Sequence, residues 1–301
     1  MIYDIRHITT YAYETPVSFA LCALRLRPTS RAGQKVLSVD VELDPPAARR
    51  MARACFFGNS FEIVRIDDEH RALKVSARAR IAVARPEAPA VTPPWEEVRQ
   101  QAFGIHDLGP QSPAHFVYAS RTVTLDEPVV AYARESFPPD REILAGARDL
   151  MRRIWDDFDY DNKATLVTTP LGEAFAKRRG VCQDFAHIMI AGLRGLGLPA
   201  RYVSGYLRTV PPPGKERLEG SDATHAWVAV WCGPFDGWVG LDPTNNILVG
   251  DDHIILAEGR DYADVAPIGG VILSSGAQDV SVAVDVIPIP TEDAPSAFKR
   301  V

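Results

Sequence analysis

Nine of the chain's 24 prolines fall between residues 86 and 139. Each proline removes a backbone donor and fixes φ, so no regular element runs far through such a stretch. A chain of 301 residues interrupted this way is expected to fold as separate units on either side of the break, and length alone points to two domains, each of roughly 100–200 residues. Charge is divided along the same line. Residues 1–85 carry 14 Lys plus Arg against 9 Asp plus Glu, a net of +5, while the whole chain has −6, leaving −11 for the remainder.

Before the break the pattern is β. Short alternating runs at Ile8–Tyr13, Val36–Leu43, Phe61–Ile66 and Leu73–Val83 are separated by turn residues, including Gly58-Asn59 and Asp67-Asp68, which predicts a small β-sandwich or barrel-like sheet over residues 1–85. Residues 86–137 read as a proline-rich connector with one short helix at Trp95–Phe103. From Pro139 the period changes. Ile143, Leu144, Ala147, Leu150, Met151, Ile154, Trp155 and Phe158 recur at helical spacing. A second helix is expected from Thr169-Pro170 to Gly180. A third spans about Val181 to Leu196, with Phe185, Ile188, Met189, Gly192, Leu193 and Leu196 on one face and Gly197 and Pro199 as its stop. Strands follow at Arg201–Arg208, Ala223–Trp231, Gly237–Leu241, Ile254–Ala257 and Val280–Ile287, the last with valines at 280, 282, 284 and 286 in strict alternation. Helices followed by antiparallel strands give an α+β domain over residues 138–265. Residues 266–301 are expected to be C-terminal strands and a tail that pack on this core or on the N-terminal domain.

Composition removes several classes. Apolar residues make up 46% and charged residues 24%, a globular balance rather than that of a disordered chain. No apolar run reaches the length of a membrane helix, and the start shows no secretory pattern. The acidity argues against a nucleic-acid partner. Cysteines at 22, 55, 182 and 232 are too sparse for a disulfide scaffold or a CxxC knuckle, so free thiols in a reducing cytoplasm are expected. Histidines at 7, 70, 106, 115 and 253 have no metal-ligand spacing. Calcium-loop and phosphate-loop motifs are absent from the sequence. Neither metal nor cofactor is expected.

Three segments carry chemistry. In Arg179-Gly180-Val181-Cys182-Gln183-Asp184, a cysteine occupies the first turn of a helix, where free amides and the helix dipole favour the thiolate. In Asp222-Ala223-Thr224-His225-Ala226-Trp227, a histidine opens an apolar strand. In Gly237-Trp238-Val239-Gly240-Leu241-Asp242-Pro243, an aspartate closes the next strand. Each has an ordinary structural explanation alone, as a buried thiol, a surface histidine and a turn cap. Together they form a Cys, His, Asp order. A tight turn at Gly233–Asp236 makes the last two strands antiparallel neighbours, matching residue 225 with about 243 and setting His225 and Asp242 on one face. Cys182 is then the nucleophile, His225 its base, and Asp242 the group that orients the imidazole. His187 lies about 140° around the helix from Cys182 and reads as structural.

The strings GVCQDFAH, THAWVAVW and GWVGLDPTN resemble the core of the bacterial transglutaminase-like superfamily, of the papain-like α+β type with helices packed on an antiparallel sheet. LGLPARYVSGYL at 196–207 and the region around His253-Ile254 and Gly259–Tyr262 are similar to the same family. IRHITTYAY, LRLRP and Gly58-Asn59 resemble the β-rich N-terminal domain that often precedes this core. The resemblance covers most of the chain, least well at 86–135. It implies a thiol enzyme with Cys182, His225 and Asp242 as its triad, acting on peptide or protein amides through a thioester. Hydrolysis is the expected outcome, as in the cysteine peptidases of the family. Amine transfer, as in a protein-glutamine transglutaminase, and a catalytically silent binding scaffold are the alternatives. Gln183 and Asn162 are the candidates for oxyanion or supporting contacts. The loop Thr209–Gly220, with prolines at 211–213, is placed to cover the cleft. The residues name no natural substrate and no oligomeric state.

Overall fold

Alternating apolar positions build the front of the molecule, and an almost wholly buried helix builds its centre. The computed structural model describes residues 1–209, 220 and 222–290. The loop expected to cover the cleft falls mostly at 210–219 and so lies outside the described residues. The order is β1 (Ile2–Val17), β2 (Phe19–Leu24), β3 (Gln34–Asp44), β4 (Arg49–Ala54), β5 (Ser60–Ile66), β6 (His70–Val83), α1 (Trp95–Phe103), a 3-10 turn (Pro113–Phe116), α2 (Glu127–Arg134), α3 (Ile143–Asp157), β7 (Asp159–Tyr160), α4 (Leu171–Lys177), β8 (Arg179–Gly180), α5 (Cys182–Gly195), β9 (Ala200–Leu207), β10 (Ala223–Trp231), β11 (Trp238–Asp242), β12 (Ile247–Leu248), β13 (His253–Gly259), α6 (Tyr262–Val265), β14 (Ile268–Leu273) and β15 (Gln278–Ile289). Among the described residues no helix is long and apolar enough to cross a membrane.

Two four-stranded antiparallel sheets, β15-β1-β6-β3 and β14-β2-β5-β4, face each other over one core that includes Tyr3, Ile5, Val64, Ile66, Val75 and Ile81. This is the expected β-sandwich, and each sheet takes one edge strand from the C-terminal end of the chain. The valine alternation of β15 holds over only half its length. Val284 and Val286 are buried, while Val280 and Val282 stay about half exposed at the free end of this edge strand. Asp285, on the other face, is also buried, because Arg6 and the Gly220 N–H both donate to it.

The proline-rich segment supplies Val98, Phe116, Val129 and Val130 to the interior, and all but Phe116 belong to one cluster with the helices of the core. Several of its prolines start elements rather than break them. Pro94 precedes α1, while Pro113 and Pro128 sit in the first turn of the 3-10 turn and of α2. A first-turn residue needs no backbone donor, so proline costs little there. α5 has no solvent face. Every residue from Asp184 to Arg194 is buried, because α2, α3, α4 and the core sheet surround it. Its Gly192 and Gly195 let α2 approach closely, since a Cβ at either would overlap Ala133 or Val130.

The core sheet runs β12-β11-β10-β9-β13, leaving β13 as an edge. Two side-chain amides of the sandwich close that edge. Gln34 donates to Ile255 O and accepts from Ile255 N, both at 2.8 Å. Asn59 donates to Glu258 O at 2.6 Å and accepts from Glu258 N at 2.9 Å. Each amide acts as one rung of a missing strand, and both side chains are buried. Removing either leaves a buried N–H and a buried C=O unpaired, at about 1–3 kcal/mol each. We therefore expect Gln34→Ala and Asn59→Ala each to lose about 2–4 kcal/mol in urea unfolding, and a loss below about 0.5 kcal/mol would show that the clips carry little.

Candidate active site

The start of α5 is held from below. Asp184 Oδ2 accepts from the Val181 N–H at 2.9 Å and from the Thr165 hydroxyl at 2.6 Å, so the residue ahead of Cys182 is fixed in place. A Cβ at Gly180 would come 2.5 Å from that same oxygen, which explains the glycine. Cys182 is the first helical residue and is half-buried. The first-turn N–H groups of Cys182 and Gln183 have no partner within the helix.

β10 and β11 bring the other two residues in. Their register pairs Val228 with Leu241 and Trp231 with Trp238. Continued outward, it sets Asp242 opposite Trp227. A strict match of 225 with 243 would have turned Asp242 to the other face of the sheet. The observed register puts it diagonal to His225 on the same face, within side-chain reach. His225 Nε2 lies 2.8 Å from Asp242 Oδ2. Asn245 Nδ2 lies 3.4 Å from the same Nε2. Cys182 is a further side-chain hydrogen-bond partner of His225, and with Nε2 on the carboxylate it is Nδ1 that remains for the thiol. The structure thus brings Cys182, His225 and Asp242 together.

Asp242 has no exposed surface, yet its carboxylate is fully engaged. Besides His225, Oδ2 meets Asn245 Nδ2 at 2.7 Å and His253 Nε2 at 3.2 Å. Oδ1 accepts from the backbone N–H groups of Thr244 and Asn245. Burial pushes the carboxyl up, but hydrogen bonds from His225 and His253, the charge of His225 and the Asn245 amide outweigh it and hold Asp242 well below the usual carboxylate range. Burial pushes His225 down, and its bonds and charge interactions with Asp242 and Cys182 prevail, raising it to about 10. An imidazolium held against the ionised Asp242 is the physical content of that shift.

His253 is the residue the sequence did not mark as part of this site. Its Nδ1 accepts from the Gly250 N–H at 3.3 Å, so the proton sits on Nε2 and points at Asp242. The Gln183 side chain donates to Val167 O at 3.2 Å. Asn162 is exposed in the loop after β7. In the same stretch, partial burial and then the charge of Cys182 push the Tyr160 phenol up. His187 is buried and accepts from the Tyr262 N–H at 3.2 Å. Cys232 is buried at the far end of β10.

Two family models match this chain: the bacterial transglutaminase-like N-terminal region over residues 3–82, and the transglutaminase-like superfamily core over 131–243. The uncharacterized protein Rv2569c of Mycobacterium tuberculosis is 38% identical over 298 residues, covering 95% of this chain and 92% of its own. The chain belongs to the bacterial transglutaminase-like superfamily. A Pseudomonas aeruginosa protein-glutamine gamma-glutamyltransferase is 39% identical over 115 residues, 36% of this chain and 17% of that one. The crystal structure of a "Putative Cysteine Protease from Cytophaga hutchinsonii" matches with a TM-score of 0.76 at 20% identity, over 99% of this chain and 94% of the other. The family fold therefore spans both halves of the chain.

The two shifts at this site make stability depend on pH in opposite directions. His225 lies above its ordinary value of 6.5, so its contribution is complete below about pH 6.5 and is lost as the pH rises through about 10. Asp242 lies below its ordinary 3.8, so its contribution is complete above that value and is lost in acid. Both are in full between these limits. The stability gap between the wild-type protein and His225→Gln, from urea unfolding at fixed pH, should be widest there and should shrink toward pH 10. A gap that widens with rising pH would mean that the imidazole is held neutral.

Proposed function

We propose that the protein is a Cys182-dependent enzyme that hydrolyses amide bonds in peptides or peptide-like substrates. The observation that carries this reading is the buried His225 imidazole, held between Cys182 and Asp242 with its Nε2 2.8 Å from the carboxylate. In this mechanism the Cys182 thiolate attacks the amide carbonyl carbon. The C=O electron pair moves onto oxygen, where the first-turn amides of α5 stabilise it. The tetrahedral adduct collapses, the C–N bond breaks, and the proton on His225 Nδ1 goes to the leaving amine. The neutral imidazole then takes a proton from water as it attacks the thioester. The acid leaves and the thiolate–imidazolium pair is restored. Asp242 stays ionised throughout and holds the ring.

Amine transfer is the second reading, favoured by the name of the Pseudomonas relative. It needs only an amine in place of water at the thioester. Both outcomes are read in one assay, in which a peptide amide substrate is incubated with and without monodansylcadaverine while cleavage and dansyl incorporation are followed. We expect cleavage to dominate, Cys182→Ala to abolish both, and Asp242→Asn to lower kcat on the order of 10²–10⁴-fold with KM little changed. Incorporation that outruns cleavage would move the protein to the transferase reading. Full activity in Cys182→Ala, or a Cys182 inert to iodoacetamide at every pH, would overturn the enzymatic reading.

A further inference from the structure

Behind the triad, between the sandwich and the core sheet, lies a cavity of about 560 Å³. Its floor is the sheet face carrying Val203, Trp227, Ala229 and Ile255, opposite the face on which α5 packs. Its roof comes from the sandwich segments 29–32 and 57–58 and from 85–89, where the connector begins. Cys182 is not part of its wall. Trp227 is the partition. Its ring lies 6.0 Å from that of His225 and 5.2 Å from that of His253.

The charge in this wall is unbalanced. Arg31, Arg85 and Arg201 all line the cavity, and Glu258 is the buried carboxylate among them. Glu258 is shared, at 2.6 Å from Arg31 and 3.1 Å from Arg201. Arg85 bonds instead to the carbonyls of Gly250 and His253. The Nε–H groups of Arg31 and Arg201 are buried without a partner. Glu87, which is exposed, and Asp236, which is half-buried, stand in surface segments at the lining. Three inner guanidinium groups thus face one inner carboxylate, with the half-buried Asp251 as a second acidic neighbour of Arg85 alone. Burial works against two of them, pushing Arg85 and Arg201 down. An uncompensated buried charge is costly, and an added anion offsets that cost. Beside the cations stand aromatic walls, with Arg201 lying 4.3 Å over the Trp238 ring. The volume is that of a small-molecule site.

We propose that this interdomain cavity binds a small organic carboxylate with an apolar body. The carboxylate faces the Arg31–Arg201 side, where guanidinium groups match its geometry. The body rests on Trp227 and Trp238. This site is separate from the thiol cleft and does not depend on the reaction assigned to it.

The test is a titration of the full chain with 3-phenylpropionate and with its neutral isostere 3-phenylpropanamide. Binding is followed by tryptophan fluorescence excited at a wavelength where neither probe absorbs, and by calorimetry. Saturable binding of the acid is expected, with the amide at least about tenfold weaker. Arg201→Met should weaken the acid by about tenfold or more, and Ala229→Phe, which fills the cavity, should remove binding. Cys182→Ala should bind as the wild-type chain does. If Arg201→Met fails to fold, Arg31→Met takes its place. Equal affinity for acid and amide would overturn the proposal. So would binding that survives Ala229→Phe, binding lost in Cys182→Ala, or no saturable signal up to about 50 mM acid.

Discussion

A carboxylate with no exposed surface is the point on which this molecule depends. Burying an isolated ionised carboxylate is prohibitively unfavourable unless donors surround it. Asp242 is surrounded by the side chains of His225, His253 and Asn245 and by two backbone amides. These donors come from β10, from the turn after β11 and from the start of β13. The carboxylate therefore fixes the mutual position of three segments as well as the orientation of one imidazole. No single partner can leave without exposing the rest to an unsatisfied buried charge.

β13 extends that dependence to the whole chain. Its first residue, His253, reaches Asp242, and its outer edge is completed by Gln34 and Asn59 of the sandwich. Arg85, the last residue of the β-rich segment, holds the approach to β13 through the carbonyls of Gly250 and His253, and the Tyr3 hydroxyl donates to Asp252. The sandwich is thus bonded to the segment that steadies the Asp242 carboxylate. Its own sheets are completed by β14 and β15 from beyond the core. Neither half of the chain has a finished surface without the other, since a bare β13 would present unpaired backbone groups.

What was legible in the sequence lies at ends of elements with strong local signals. Cys182 follows a glycine and opens a helix, and His225 and Asp242 lie on strands joined by a turn with positive-φ glycines at 233 and 237. The register was less legible. The hairpin closes between Trp231 and Trp238, half a residue beyond a centre at 234, and in a strand that difference decides the face. His253 was invisible because its partner lies across an irregular segment, where no periodicity links the two. Gln34 and Asn59 were invisible for a similar reason, since a polar residue in a strand or turn gives no local sign that it will pair with a backbone far along the chain. Prolines misled in another way. Reading Pro128 as a breaker hid α2, because proline at a first turn and proline within a helix look alike until the turn is placed.

The site uses two buried carboxylates for different ends. Asp184 lies two residues from Cys182, where a negative charge opposes a thiolate. Its Oδ2, however, is occupied by the Val181 N–H and the Thr165 hydroxyl, and these two donors offset part of its charge. Asp242 lies beyond the imidazole, where its charge favours the protonated ring and so, through that ring, the thiolate. The helix terminus contributes its free amides, but a dipole effect of about 0.3–1 kcal/mol is small beside a hydrogen-bonded, desolvated imidazolium. In the proposed reaction, activation of Cys182 therefore rests more on His225 and its hydrogen-bond network than on the helix that carries the sulfur. That network runs from Asp242 through His253 to residues of the sandwich.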